Sequence, residues 1–281
     1  MRDGSQGAQR ASHRRVRSLL TGILAALVAL GALGATAPDT QAAGYKVVIV
    51  VGPVGSATSE YRDGARRLAA QARNYGASVY EIYSPYATWS KVRTVAAGAN
   101  VLIYLGHGNG WPSPYAPFST TSKDGMGLNA TSGSGNSNTK YYGEYYMAKL
   151  GLAPNAVVML NRLCYASGNS EWGASNPTRS TAIKRVDNYG YGFLRSGAKA
   201  VFASGITGMG YVLKGLFTGS KAMTIKQLFW TDPNRTGSYK FGFTSVRTPG
   251  ASAQMDPYKP SRYYRSVIGW LGVTVGDWRA G

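Results

Sequence analysis

The chain has 281 residues, 44% of them hydrophobic and 37 of them glycine, so it can bury a core and is neither disordered nor low in complexity. Lys and Arg number 31 against 12 Asp and Glu, a formal net charge of +19. This charge favours contact with anionic polymers such as those of cell walls. The basic residues are scattered and form no recognised nucleic-acid motif, so no specific nucleic-acid partner is expected.

Residues 1–42 have the pattern of a signal peptide. Five arginines precede or flank the start of an apolar run at residues 19–33, and small residues lead to Thr40-Gln41-Ala42. The sequence predicts cleavage there, secretion and a mature chain of residues 43–281. A retained membrane anchor is the alternative, although the run is short for a span. Any membrane contact is expected only through this segment.

Strands and helices alternate through the first part of the mature chain. A β-branched run predicts a buried strand, and apolar residues at helical spacing predict a helix after it. The predicted order is a strand at residues 45–51, a helix from about 56 to 74, a strand at 77–83, a helix at 88–99 and a strand at 100–105.

The alternation continues after a loop of about thirty residues that is rich in Ser, Thr, Gly and Asn. The predicted elements are a helix at residues 141–150, a strand at 156–160, a helix at 181–196, a strand at 200–204 and a helix at 211–230. This pattern predicts one α/β domain whose mostly parallel sheet is covered on both faces. Its core spans residues 45–205, and the order of elements in the aromatic tail is not predicted.

Two reactive side chains follow predicted strands. His107 comes after the strand at residues 100–105, and Cys164 comes after the strand at 156–160. Ligand sites of parallel sheets lie beyond the carboxyl ends of their strands. His107 and Cys164 are therefore expected on the same edge if the two strands are neighbours.

Cys164 is the only cysteine, and His107 is the only histidine outside the predicted signal peptide. A lone thiol is a buried apolar group, an intermolecular bridge or a nucleophile, and a nucleophilic thiol needs a base such as imidazole. The backbone N–H groups of Gly108 and Cys164 could hold the oxyanion of acyl transfer. One Cys and one His fall short of the three protein ligands of a catalytic zinc site, so no metal is expected. A Cys-His pair that catalyses acyl transfer is expected to need no organic cofactor.

These segments resemble the caspase-like cysteine peptidases, the superfamily of legumains, gingipains, clostripains and caspases. Val-Leu-Ile-Tyr-Leu-Gly-His-Gly at residues 101–108 and Val-Val-Met-Leu-Asn-Arg-Leu-Cys at 157–164 match its hallmark of a strand ending in His-Gly and a later strand ending in Cys. The resemblance implies a three-layer α/β/α fold and peptide-bond hydrolysis through an acyl-enzyme, with His107 as acid/base and Cys164 as nucleophile. Together with the predicted signal peptide, it indicates a secreted endopeptidase. Leu163 departs from the pattern, because many members have a small residue there.

The resemblance also suggests a substrate preference. In several relatives the residue two positions before the cysteine lines the specificity pocket, and that residue here is Arg162. By charge complementarity Arg162 would favour cleavage after Asp or Glu. The alternative is that Arg162 is an ordinary loop residue. Asp124 and Glu171, in the loops after His107 and Cys164, are the places where such an enzyme could cut itself.

Two other functions fit the same residues. One is a caspase-like module without catalysis that binds an anionic cell-wall polymer, and the other is an acyl transferase that is not a peptidase. A protein or peptide is the expected substrate of the leading hypothesis. No third catalytic residue can be named, since Asn109 and Asn161 are candidates only by proximity in sequence.

Overall fold

A computed structural model describes residues 44–206 and 208–281. The strands of its main sheet, in the order in which they pair across it, are β2 (Ser78–Tyr83), β1 (Lys46–Val51), β3 (Val101–Leu105), β6 (Ala156–Asn161), β7 (Ala198–Ser204), β10 (Arg265–Gly269), β9 (Ser252–Met255) and β8 (Phe241–Thr244). A hairpin is formed by β4 (Met126–Asn129) and β5 (Thr139–Tyr142). The helices are α1 (Thr58–Asn74), α2 (Trp89–Ala96), α3 (Glu144–Met147), α4 (Arg179–Arg195), α5 (Gly210–Thr218), α6 (Ile225–Phe229) and α7 (Val275–Ala280).

The sheet has helices on both faces because its central strands are apolar on both sides. In β1, Val47, Ile49 and Val51 belong to the core beneath α1, α5, α6 and α7. Val48 and Val50 belong to the opposite core, beneath α2, α3 and α4. Strands β2, β1, β3, β6 and β7 are parallel, and β10, β9 and β8 continue the sheet antiparallel. The predicted α/β class with a mostly parallel sheet is confirmed.

The strands that precede His107 and Cys164 are neighbours. β3 pairs with β6 in parallel, and the last residues of the two strands, Leu105 and Asn161, are register partners. His107 lies two residues beyond one partner and Cys164 three residues beyond the other. The expectation that both side chains leave the same edge of the sheet is therefore confirmed.

The prediction of a continuous loop after His107 and of a helix at residues 141–150 is wrong in detail. Residues 126–129 pair with 139–142 as the β4–β5 hairpin, and only the single turn Glu144–Met147 is α-helical. The hairpin forms because Met126 and Leu128 are buried in the core beneath α2 and α4. Its apolar residues are too few to stand out among the surrounding Ser, Thr, Gly and Asn residues.

The predicted helix at residues 211–230 is two helices, α5 and α6. α5 ends before Gly219, where a methyl group would lie 2.4 Å from the carbonyl oxygen of Gly215. α6 begins after Thr224, which forms a capping box with Gln227. The tail then supplies β8, β9, β10 and α7, so residues 206–281 complete the main sheet.

The predicted signal peptide and its cleavage site lie outside the described residues. Among the helices of the described part of the chain, none is long and apolar enough to span a membrane.

The antiparallel end of the sheet depends on a buried ion-pair cluster around Arg265 of β10. Its guanidinium pairs with Asp232 and Asp256, and all three side chains are at most 6% exposed. Removing one member of such a cluster leaves an uncompensated buried charge. We predict that Arg265→Ala lowers the free energy of unfolding by about 3–5 kcal/mol, measured by chemical denaturation.

Arg66→Ala is the matched control, because Arg66 pairs with Asp63 on the exposed face of α1 at 3.0 Å. An exposed pair of this kind contributes about 0–1 kcal/mol. Equal denaturation midpoints for the wild type and Arg265→Ala would contradict the prediction.

Candidate active site

The segments that carry His107 and Cys164 are in direct backbone contact. A methyl group on Gly108 would lie 2.1 Å from the carbonyl oxygen of Cys164, and one on Gly110 would lie 2.2 Å from Cβ of Tyr165. Side chains larger than hydrogen would push the two segments apart. The glycines that follow His107 are therefore required by the close approach of the two chain segments.

Two buried tyrosines fix the backbone around His107. The Tyr104 hydroxyl lies 3.0 Å from the carbonyl oxygen of His107 and accepts a hydrogen bond from the Gly127 N–H at 2.9 Å. The Tyr189 hydroxyl donates to the Gly125 carbonyl at 3.0 Å and accepts from the Asn109 N–H at 3.2 Å. The His107 segment is thus tied to the β4–β5 hairpin and to α4.

The loop that follows His107 is stabilised by two buried charged side chains that are neighbours in sequence, Lys123 and Asp124. Lys123 is 2% exposed, and its ammonium donates to Asn109 Oδ1 at 2.8 Å, to Ser113 Oγ at 3.0 Å and to the Tyr115 carbonyl at 2.7 Å. Asp124 is fully buried and accepts a hydrogen bond from the Trp111 N–H at 2.9 Å. This burial argues against self-cleavage at Asp124, because a protease needs an accessible bond.

The backbone on both sides of Cys164 is in a conformation that side chains disfavour. Arg162 has φ of +60° and Tyr165 has φ of +70°. Such residues cost about 1–3 kcal/mol each and occur at sites where the surrounding structure holds them in place. Two hydrogen bonds stabilise this conformation of the Cys164 loop. Ser167 Oγ donates to the Tyr263 carbonyl at 2.8 Å, and Asn169 Nδ2 donates to the Leu163 carbonyl at 3.3 Å.

Arg185 of α4 connects the two loops. Its guanidinium donates to the Pro112 carbonyl of the His107 loop at 2.7 Å, and to the Asn169 carbonyl of the Cys164 loop at 2.7 Å. It also lies over the ring of Tyr165, 4.7 Å from the ring centroid. Because the side chain is buried, these bonds are shielded from water and keep the loops in one arrangement.

Burial and one carboxylate set the electrostatics of the site. Burial, and after it the negative charge of Glu171, raises the pKa of Cys164 to about 11, while a backbone hydrogen bond from Trp172 opposes the shift. Burial lowers the pKa of His107, and Glu171 partly offsets this effect. At neutral pH both side chains are therefore uncharged.

The backbone N–H groups of Gly108 and Cys164, the predicted oxyanion donors, are free to bind a substrate oxygen. Within residues 44–206 and 208–281, neither the Gly108 N–H nor the Cys164 N–H donates a hydrogen bond to a protein acceptor. The amide of Asn109, in contrast, is engaged with the Ser122 carbonyl at 2.8 Å and with Lys123. Asn161 is buried at the end of β6. Neither asparagine is thereby identified as a third catalytic residue.

Arg162 faces α1 at the border of a cavity of about 220 Å³ that Tyr61, Leu105 and Asn161 also line. Its guanidinium donates to Glu60 Oε1 at 2.6 Å and lies over the ring of Tyr61, 4.4 Å from the ring centroid. The positive charge of Arg162 is therefore already balanced.

Sequence reasoning missed the residues that hold the site together. Arg185 had a detectable signal, since it lies on the apolar face of α4 with Ala182, Val186 and Tyr189, where a charged side chain is unusual. Lys123 had none, because nothing in the surrounding polar loop distinguishes a buried lysine from an exposed one. The sequence predicts Glu171 only as a place of self-cleavage, whereas in the structure its charge acts on both His107 and Cys164.

Comparisons with known proteins give no further information: no protein-family model, no curated protein and no solved structure matches this chain.

The electrostatics predict how Cys164 reacts with iodoacetamide, which alkylates the thiolate. Glu171→Gln removes the negative charge that helps to raise the pKa of Cys164. Alkylation should then be faster between about pH 8 and 10, and its midpoint should move to lower pH while staying above the usual value of about 8.5 because burial remains.

The control for this experiment is Asp63→Asn, which removes an exposed carboxylate from α1. It should leave the rate profile unchanged. A Glu171→Gln midpoint at or above that of the wild type would show that Glu171 does not act on the thiol.

Proposed function

We propose that this protein is a secreted cysteine endopeptidase of the caspase-like type, with Cys164 as nucleophile and His107 as general base. The observation that carries the proposal is the docking of Gly108 onto the carbonyl of Cys164 at the shared end of β3 and β6. This contact brings the only thiol of the chain and the only imidazole of the described residues to one edge of the sheet. A nucleophile and a base at such an edge are the parts that acyl transfer needs.

The uncharged state of the pair defines the order of events. Because the pKa of Cys164 is raised and that of His107 is lowered, the proton stays on sulfur until a substrate carbonyl is in place. Sγ then attacks the carbonyl carbon while His107 takes the proton. The resulting oxyanion accepts hydrogen bonds from the N–H groups of Gly108 and Cys164, and each such donor contributes about 2.7–4 kcal/mol to transition-state stability.

The remaining steps use the same two side chains. His107 returns its proton to the nitrogen of the leaving amine, and the C–N bond breaks to give a thioester on Cys164. Water then attacks this thioester with His107 as base, which releases the acid and restores the thiol. No step requires a group beyond the protein and water.

The finer expectation of cleavage after acidic residues receives no support from the surroundings of Arg162. Its guanidinium is paired with Glu60 and stacked on Tyr61. A substrate carboxylate would have to compete with Glu60, and pairing in water is worth little.

The second candidate is a module that binds an anionic cell-wall polymer without catalysis. Residues 43–281 contain 26 Lys and Arg against 10 Asp and Glu, an excess of 16 positive charges. Such binding would weaken with added salt and would not depend on His107 or Cys164. This independence separates it from the peptidase.

We predict that Cys164→Ser and His107→Ala each reduce the rate of peptide cleavage by at least about 10³-fold, because the two side chains act as one unit. Cleavage of a mixed peptide library is followed by mass spectrometry, and circular dichroism shows that each variant is folded. Asp63→Asn should cleave like the wild type. Cleavage that survives in both site variants, or no cleavage by the wild type, would argue for the binding module.

A further inference from the structure

All but one of the acidic residues of the described chain form an ion pair or accept a hydrogen bond from a backbone N–H group. Six form ion pairs: Glu60, Asp63, Glu81, Glu144, Asp232 and Asp256. Three accept hydrogen bonds from backbone N–H groups: Asp124, Asp187 and Asp277. Within residues 44–206 and 208–281, only Glu171 belongs to neither group, although basic residues outnumber acidic ones by 16 in the mature chain.

Glu171 is half-buried in the loop that follows Cys164. It accepts a hydrogen bond from the Tyr115 hydroxyl at 2.8 Å, and its charge acts on both Cys164 and His107. The nearby cations do not pair with it. Lys123 donates instead to its own loop, and Arg185 donates to the Pro112 and Asn169 carbonyls. Within residues 44–206 and 208–281, Glu171 therefore forms no ion pair, although its charge acts on both Lys123 and Arg185.

Aromatic side chains border the same place. Tyr115 is 55% exposed. Trp172, which follows Glu171 in the chain, is fully exposed. Aromatic faces attract cations, and a carboxylate among them adds a charge-assisted hydrogen bond. This is the chemistry that recognises an ammonium or guanidinium group.

We propose that Glu171, with Tyr115 and Trp172, forms a subsite for a positively charged substrate side chain, lysine or arginine, next to the carbonyl that Cys164 attacks. The role of this subsite in selecting a peptide bond depends on the proposed function. Binding of the cation does not. With this subsite, Glu171 would select a positively charged substrate side chain, whereas Arg162 would have selected a negatively charged one.

Protection of Cys164 against iodoacetamide tests the subsite without requiring catalysis. The ligands are Nα-acetyl-lysinamide, its uncharged counterpart Nα-acetyl-norleucinamide and the amide of Nα-acetyl-glutamate. In the wild type the lysine compound should protect at a concentration about tenfold lower than the norleucine compound, because only the former forms a charged pair. Each variant is compared with its own alkylation rate without ligand.

The variants turn this ranking into a test of Glu171. Glu171→Gln should abolish the difference between the lysine and norleucine compounds, and Glu171→Lys should make the glutamate compound the best of the three. Asp63→Asn, which removes an exposed carboxylate elsewhere, should keep the wild-type ranking. Equal effects of the lysine and norleucine compounds on the wild type, or a lysine preference that survives in Glu171→Gln, would overturn the subsite.

The result is independent of the peptidase test. Protection by lysine together with no Cys164-dependent cleavage would support the subsite and reject the proposed function. Cleavage that depends on Cys164, with no preference for lysine or arginine near the cut and no lysine-selective protection, would support the peptidase and reject the subsite.

Discussion

The contact between Gly108 and the Cys164 carbonyl is the constraint on which the site depends. In-register pairing of β3 with β6 brings the two strand ends together. His107 still lies two residues beyond the end of β3 and Cys164 three residues beyond the end of β6, so strand pairing alone does not position their side chains. A methyl group at Gly108 would lie 2.1 Å from the Cys164 oxygen, so only glycine permits this docking. The buried side chains of Arg185 and Lys123 then fix the loops, because both donate their hydrogen bonds within them. Rigid placement of this kind is what a catalytic pair requires.

The charge distribution gives the site its chemical character. A strongly basic chain could have placed a cation beside the thiol and lowered its pKa, yet the charge that shifts the pKa values of Cys164 and His107 is the carboxylate of Glu171. This arrangement keeps the thiol protonated and therefore less prone to oxidation. It also leaves the carboxylate of Glu171 available to bind a positively charged ligand. Reactivity and recognition are thus linked through one side chain.

Much of the parallel half of the sheet could be predicted from the sequence, because β1, β3 and β6 are continuous apolar runs ended by glycine or polar residues. The same pattern located His107 and Cys164 at the sheet edge. The β4–β5 hairpin and the antiparallel strands β8 to β10 could not be predicted, since four or five residues carry too little periodicity. The partners of Arg162, Lys123 and Glu171 depend on contacts between residues distant in sequence. Short-range sequence patterns do not indicate such contacts.

The measurement that tests this account most directly is an NMR titration of His107 in protein carrying His13→Gln, before and after carboxymethylation of Cys164. The pKa of His107 should lie below the usual value of about 6.5 in the unmodified protein, because burial disfavours the imidazolium. Carboxymethylation attaches a negative charge to Sγ and should raise the pKa of His107, since an adjacent anion stabilises the imidazolium. A titration curve that is the same before and after modification would show that the two side chains are not neighbours and would contradict the account.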